Sequence, residues 1–190
     1  MKRKSVTAAE AVALIRPGDT VTTSGFVGNG VPELLLAALE ARFLAEGTPR
    51  DLTVLFAAGQ GDGKTRGLNR LGHAGLLRRV VGGHWGLIPK VAKLALDGAI
   101  EGWNLPQGVI SHMFRDIAAG KPVTLSKVGL ETFVDPDLGG GRINDRSTEP
   151  LVALVEIAGE TMLAYRTMPI DVALLRGTTA DENGNVTMEH

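Results

Sequence analysis

The pattern of apolar and polar positions alternates between two kinds of segment along the chain. Short apolar runs predict strands, and longer stretches in which apolar residues recur every three to four positions predict helices. The predicted strands are residues 20–23, 52–56, 80–81 and 99–103, and the predicted helices are residues 32–45, 88–96 and 107–119. This alternation indicates βαβ units, so we predict an α/β fold with an open, mostly parallel sheet and helices on both faces.

Capping signals mark the ends of the predicted helices. Thr7 and Glu10 have the spacing of a capping box, which predicts a first helix that ends before Pro17. Glycines follow the three longer helices, where a left-handed residue commonly closes a helix. These glycines are Gly47, Gly98 and Gly120. The predicted helices therefore agree with their own stop signals.

The helical periodicity weakens in the last third of the chain. The strands predicted there are residues 151–157, 161–166, 172–175 and 186–188. Gly159 lies between the first two, which predicts a β-hairpin with a short turn. The chain stops at His190 directly after the last strand, with no closing helix. We therefore expect residues 1–190 to be a single domain cut from a longer protein.

Composition supports a folded domain and removes several classes of partner. The chain has 190 residues, of which 44% are hydrophobic, and this is enough for one sizeable core. Its formal net charge is −1 and its basic residues are scattered, so we expect no nucleic-acid partner. No segment is long and apolar enough to span a bilayer, and we expect no membrane contact.

The absence of cysteine narrows the chemistry further. With no cysteine, the chain can form no disulfide, no thiolate nucleophile and no cysteine-ligated metal site, which fits a cytoplasmic protein. The four histidines show no metal-ligand spacing. We therefore predict no metal site.

A glycine-rich stretch, residues 24–33, lies between a predicted strand and a predicted helix, where α/β proteins hold ligands. Pro32 and Glu33 suit the N-terminus of the helix that follows. Glu33 also occupies the third glycine position of a dinucleotide fingerprint, which disfavours that kind of site. A purely structural turn is the alternative to a ligand-binding loop. The predicted ligand contacts are Gly25, Phe26, Val27, Gly28, Asn29 and Gly30.

A second glycine-rich stretch, residues 58–65, satisfies a relaxed phosphate-loop pattern and follows a predicted strand. A phosphate-loop nucleotide hydrolase is therefore an alternative function. Gly67 and Gly72 interrupt the helix that such a loop requires, and no apolar strand ending in aspartate offers a magnesium ligand. A solvated turn is the structural alternative. Otherwise the exposed amides and the side chain of Gln60 could donate to a ligand.

The first of these stretches resembles the Gly-Gly-Phe-x-x-x-Gly-x-Pro signature of family I coenzyme A transferases. Gly25, Phe26, Gly30 and Pro32 match it, and Ser24 replaces the first glycine. Further segments resemble the N-terminal, alpha-subunit-like domain of the fused-subunit branch, which acts on acetate, propionate and related acids. They are AAGQGDG at residues 57–63, WNLPQG at 103–108, TFVDP at 132–136 and RGTTADENGN at 176–185. The resemblance covers nearly the whole chain.

This resemblance implies a ping-pong transfer of coenzyme A between an acyl-CoA and a short-chain carboxylic acid, through a glutamyl-CoA intermediate. Coenzyme A is then a substrate and not a permanently bound cofactor. The family's nucleophilic glutamate belongs to a second domain or subunit, so we expect no catalytic residue in this chain. Expected partners are that C-terminal domain or β subunit and further copies in a homo-oligomer. A non-catalytic acyl-CoA-binding domain is the alternative.

The same resemblance assigns binding and oxyanion roles to two loops. The first is the stretch from Gly25 to Gly30, and the second contains Gln60 and Gly61. Backbone amides and the Gln60 side-chain amide would then donate to the thioester oxygen as it gains charge. We expect both loops to lie at the carboxyl ends of parallel strands, on one edge of the sheet.

Overall fold

A computed structural model describes residues 4–189 of the chain. The helices are α1 (Ala8–Val12), α2 (Glu33–Glu46), α3 (Pro89–Leu96) and α4 (Gln107–Ala118). The strands are β1 (Thr20–Thr23), β2 (Leu52–Phe56), β3 (Leu77–Gly82), β4 (Glu101–Asn104), β5 (Val123–Ser126), β6 (Val152–Ile157), β7 (Glu160–Arg166), β8 (Val172–Leu174), β9 (Thr179–Ala180) and β10 (Val186–Thr187). The expectation about the chain end at His190 lies outside the described residues.

The predicted open, mostly parallel sheet is confirmed. Five strands form it in the order β4-β3-β2-β1-β8, and every neighbouring pair is parallel. β1 and β2 have the predicted bounds, whereas β3 begins at Leu77, three residues before the predicted start. Arg78 and Arg79 interrupt the apolar run there. Arg79 still fits the strand because its Nε donates to Glu101 on β4 at 2.6 Å.

Helices cover both faces of this sheet, as predicted. Alternate strand residues point to opposite sides: Val54 contributes to one buried cluster and Leu55 to the other. The first cluster packs under α1, α2 and α3. The second packs under α4 and a three-stranded antiparallel sheet with the order β5-β7-β6. The core therefore consists of two apolar layers on either side of the parallel sheet.

The predicted capping box and the glycine stop of α2 are confirmed, whereas the predicted start of α2 is one residue early. The Glu10 amide donates to Thr7 Oγ1 at 3.2 Å and the Thr7 amide donates to Glu10 Oε2 at 2.8 Å, which completes the capping box. Gly47 ends α2 with a φ of 69°. Pro32 precedes α2 as its N-cap and is not its first helical residue. In residues 4–189 no helix combines the length and apolar character needed to cross a bilayer.

The last third of the chain contains both a confirmed and a missed element. The predicted hairpin is present, because β6 and β7 pair around a turn in which Ala158 and Gly159 both have positive φ. β5 was not predicted. Its four residues, VTLS, follow Pro122 in a part of the chain where the periodicity weakens, and the strand forms by pairing with β7, which lies about forty residues further along.

Candidate functional site

Two glycine-rich loops lie side by side at one edge of the parallel sheet. The first loop (residues 24–32) follows β1 and the second loop (residues 57–67) follows β2. Because β1 and β2 are parallel neighbours, both loops leave the sheet at its carboxyl edge. The Val27 amide donates to the Gly59 carbonyl oxygen at 2.7 Å, which joins the loops directly. The structure thus brings together all the sequence-predicted contact residues.

The tip of the first loop is a tight and strained turn. Phe26 and Asn29 exchange two backbone hydrogen bonds, each 2.9 Å long. Between them, Val27 has a φ of 56°, a left-handed conformation that is rare for a β-branched residue. The side chains of Phe26 and Val27 are 60% and 40% exposed. Strained backbone of this kind concentrates at ligand sites, so the tip is a candidate contact surface.

The glycines of the first loop have different tasks. Gly25 has a φ of 125°, and a Cβ there would lie 2.5 Å from Val31 Cγ2 and 2.9 Å from the Val31 nitrogen, so only glycine fits. Gly28 faces open space, since a Cβ there meets no atom within 4 Å. The amides of Gly28 and Gly30 form no hydrogen bond with any residue between 4 and 189. Both amides are therefore free to donate to a ligand.

The side chain of Gln60 is buried inside the protein and does not face open space beside the loop. It is only 1% exposed. Its Nε2 donates to the Thr23 carbonyl oxygen at 3.0 Å, and its Oε1 accepts from Thr23 Oγ1. One of its two N–H donors thus satisfies a buried carbonyl, and the predicted use of this amide as a donor to a ligand stays a prediction. These bonds show that Gln60 anchors the second loop to the end of β1.

Asp62 organises the rest of the second loop. Its Oδ1 accepts from the amides of Lys64, Thr65 and Arg66 at 2.9, 2.8 and 3.0 Å. The Arg66 amide contributes most, and together these donors lower the pKa of Asp62 to about 2. The amides that a phosphate loop would turn towards a nucleotide are thus already bonded. The segment after them is a short 3-10 helix, Leu68–Leu71, so the phosphate-loop alternative is wrong.

Glu33 links the start of α2 to the second loop. Its Oε2 accepts from the Gly67 amide at 2.8 Å, and its Oε1 accepts from Arg70 Nε at 2.7 Å. Arg70 also donates to Glu40 at 2.7 Å. The sequence explained Glu33 only as an acidic residue near a helix N-terminus. Its partners lie more than thirty residues away along the chain, so no local signal could identify this role.

A cleft of about 190 Å³ lies between the two loops. Its lining includes Val27, Gly28 and Val31 from the first loop, Gly61 and Gly67 from the second loop, and Arg176. Glu33, Asp62 and Arg66 also reach it. Apolar side chains, backbone amides and charged groups therefore surround a space that suits a small ligand with one polar end.

Arg176 was not singled out by the sequence as a site residue. It lies just beyond β8, and its amide donates to Ser24 Oγ at 3.1 Å. The Ser24 hydroxyl in turn donates to the Gly30 carbonyl oxygen at 2.7 Å. Ser24, the residue that departs from the Gly-Gly-Phe signature, therefore ties the first loop to the segment that carries Arg176.

Charged clusters away from the cleft have structural partners. Arg79 bonds to Glu101 at 2.6 Å and to Glu149 at 2.8 Å, which links β3 to β4 and to the segment before β6. His73 Nε2 lies 2.9 Å from Glu40. Within the described part of the chain, no group of three His, Asp or Glu side chains is placed to hold a metal ion.

Comparison with known proteins gives consistent matches. A caffeate CoA-transferase from Acetobacterium woodii is 43% identical over 187 residues, which are 98% of this chain and 36% of that protein. The alpha subunit of an acetate CoA-transferase from Escherichia coli (strain K12) is 29% identical, over 100% of this chain and 76% of the subunit. The crystal structure of the acyl-CoA transferase YdiF apoenzyme from Escherichia coli O157:H7 matches with a TM-score of 0.95 and 35% identity.

These matches cover nearly all of this chain but only part of the longer relatives. The YdiF match covers 99% of this chain but 37% of that chain, so this chain spans about a third of the length of its longer relatives. Residues 5–190 match the family described as Coenzyme A transferase. Since this match takes in nearly every residue, the chain belongs to the coenzyme A transferase family.

Proposed function

We propose that this chain is the substrate-binding part of an enzyme that moves coenzyme A between an acyl-CoA and a short-chain carboxylic acid. Membership of the family and the names of its relatives, caffeate and acetate CoA-transferases, support this activity. The observation that carries the proposal is a pair of free amides in the first loop, that of Gly28, which lines a cleft of about 190 Å³, and that of Gly30 two residues further along. Such amides suit an oxygen that gains negative charge.

The proposed reaction has two half-reactions. A glutamate carboxylate attacks the acyl-CoA carbonyl and the thiolate of coenzyme A leaves, which gives a mixed anhydride. The thiolate then attacks the glutamyl carbonyl of the anhydride, releases the first acid and forms a glutamyl-CoA thioester. A second carboxylic acid reverses these steps and leaves as the new acyl-CoA. Each step passes through a tetrahedral oxyanion.

In this scheme the chain contributes binding groups and no nucleophile. The amides of Gly28 and Gly30 donate to the oxyanion, and each such donor is worth about 3 kcal/mol of barrier. The exposed tip at Phe26 and Val27 contacts the acyl chain. Gln60 holds the second loop in place through Thr23, and Gly61 lines the cleft opposite the first loop.

We further propose that the glutamate comes from a second domain or a β subunit, that the assembled enzyme forms homo-oligomers, and that it works in the cytoplasm. The length of the relatives supports a second domain, since this chain spans 36% of the caffeate CoA-transferase. An alpha subunit among the relatives supports the two-subunit form. The absence of cysteine supports the location.

The test is acetate-dependent transfer of coenzyme A from propionyl-CoA. The chain is assayed together with a glutamate-bearing domain of the family, and we expect formation of acetyl-CoA. The Lys64→Ala variant should transfer coenzyme A as fast as the wild type, because Lys64 is an exposed residue of the second loop whose side chain has no role in this scheme. Binding of propionyl-CoA without transfer would instead favour the non-catalytic acyl-CoA-binding domain.

A further inference from the structure

Arg176 lies at the topological switch point of the parallel sheet, where strands are added on the other side of β1. From β1 the chain continues to β2 on one side, whereas β8 pairs with the opposite side of β1. Ligands of open α/β sheets bind in the crevice that opens at the carboxyl ends of two such strands. The first loop leaves β1 at this crevice, and Arg176 follows β8 there. Arg176 lines the cleft between the loops and a second depression beside the start of α2.

The charge of Arg176 has no partner within the described residues. Its guanidinium forms no hydrogen bond or ion pair with residues 4–189, although two carboxylates also line the cleft. Both carboxylates have other partners: Glu33 accepts from Gly67 and Arg70, and Asp62 accepts from three backbone amides. The other arginine of the cleft, Arg66, lies 3.6 Å from Glu33. Arg176 therefore supplies an unpaired positive charge.

The backbone of Arg176 is held in place while its side chain is exposed. Its amide is fixed by Ser24, whose hydroxyl also holds the carbonyl of Gly30. The base of the side chain therefore keeps a set position relative to the free amides of the first loop. A guanidinium fork placed in this way matches the two oxygens of a carboxylate.

We propose that Arg176 binds the carboxylate of the acid substrate, with Ser24 as its positioning residue. This inference rests on the proposed function and names the group that recognises the acid. The volume of the cleft, about 190 Å³, suits a small acid whose alkyl part contacts Val27 and Val31. The diphosphate of coenzyme A is larger and more highly charged than one unpaired arginine in such a cleft can match.

The first test measures binding of sodium propionate to the chain itself by heteronuclear NMR, with sodium chloride as the ionic control. We expect propionate to shift the signals of the Arg176 side chain and of the Gly28 and Gly30 amides. Arg176→Gln should weaken binding about tenfold or more, because a charge-assisted bidentate pair is lost. Arg176→Lys should lie between the two, since it keeps the charge without the fork.

The matched control is Arg115→Gln. Arg115 is an exposed arginine on α4, which packs against the opposite cluster of the core and contributes nothing to the cleft. Its replacement removes the same charge at a remote place, and glutamine is well tolerated in a helix. We expect Arg115→Gln to leave the affinity for propionate unchanged. An equal loss in both variants would assign the effect to net charge and overturn the proposal.

The second test separates the acid from coenzyme A by ping-pong kinetics with the assembled enzyme. Arg176→Gln should raise the KM for acetate about tenfold or more and leave the KM for propionyl-CoA unchanged. A rise in the KM for propionyl-CoA alone would place a phosphate of coenzyme A on Arg176 and overturn the proposal. So would wild-type kinetics in Arg176→Gln. If the wild-type enzyme transfers no coenzyme A, the proposed function fails, while the propionate titration still decides the role of Arg176.

Discussion

The side chain of Gln60 forms two hydrogen bonds with Thr23 inside the protein, one to its backbone and one to its side chain. Gln60 Nε2 donates to the Thr23 carbonyl oxygen at 3.0 Å, and the Thr23 hydroxyl donates to Gln60 Oε1. Both residues are buried. Because Thr23 is the last residue of β1 and Gln60 belongs to the second loop, this pair sets how far apart the two loops lie.

Replacing Gln60 should therefore affect folding as well as the site. We expect Gln60→Ala to lower the free energy of unfolding by about 1–3 kcal/mol, because it leaves the Thr23 carbonyl and hydroxyl buried without partners. Urea denaturation measures this change. A double-mutant cycle with Thr23→Val should give a non-additive result, since both substitutions remove the bond from the Thr23 hydroxyl to Gln60 Oε1. Strict additivity would mean that the two side chains stabilise the protein independently.

The two glycines of the first loop should respond differently to the same added methyl group. Gly25→Ala should lower the free energy of unfolding by about 2–4 kcal/mol, because Gly25 combines a φ of 125° with contacts to Val31 that leave no room for a Cβ. Gly28→Ala should change it by less than about 0.5 kcal/mol, because the position is open. Equal losses in thermal unfolding would contradict this description of the loop.

The contact between Glu33 and the second loop can be tested without changing the shape of the side chain. Glu33→Gln should lower the free energy of unfolding by about 1–2 kcal/mol, because charge-assisted bonds to Gly67 and Arg70 are weakened in a partly buried place. Glu46→Gln on the same helix is the control. Glu46 is 57% exposed and pairs with Arg42 on the same helix, so its loss should cost less than about 0.5 kcal/mol. Chemical denaturation of both variants should reveal the difference; equal losses would remove the special role of Glu33.

Secondary structure and sheet class followed from local pattern in the first two thirds of the chain. β1 (TVTT) and β2 (LTVLF) are short, mostly buried runs rich in β-branched residues, and their bounds were predicted correctly. β3 was predicted too short because Arg78 and Arg79 look like a break. Arg79 is accommodated there by Glu101 on the neighbouring strand and by Glu149, and neither partner is visible in the local pattern.

The site was less predictable than the fold because its residues, like Arg79, depend on partners that are distant in the sequence. The glycines of the first loop were recognisable, since a strand, a glycine-rich turn and a helix follow one another locally. The tasks of Gln60, Glu33 and Arg176 depend on partners 34 to 152 residues away, as the bonds of Glu33 to Gly67 and of Arg176 to Ser24 illustrate. Such pairings exist only after the sheet has brought the strand ends together.

The single tyrosine of the chain offers a clean pH measurement. Burial, with a smaller contribution from the charge of Asp135, raises the pKa of Tyr165 from 10.0 to about 12. A raised pKa favours the neutral form in the folded state, so the stability that it contributes is complete below pH 10.0 and is lost as the pH rises towards about 12. Ultraviolet absorbance of tyrosinate should show a midpoint near 12 in the folded protein and near 10.0 in urea. A folded-state midpoint near the urea value would contradict the buried position of Tyr165.

We propose that the cleft between the two loops receives the thioester of the acyl-CoA. The most direct test is a crystal structure of this chain, assembled with a glutamate-bearing domain of the family, in complex with an acyl-CoA. We predict that the thioester carbonyl oxygen lies about 3 Å from the amide nitrogen of Gly28 or Gly30, as expected for oxyanion donors. An acyl-CoA whose thioester lies away from both loops, with the Gly28 and Gly30 amides still facing water, would contradict the account.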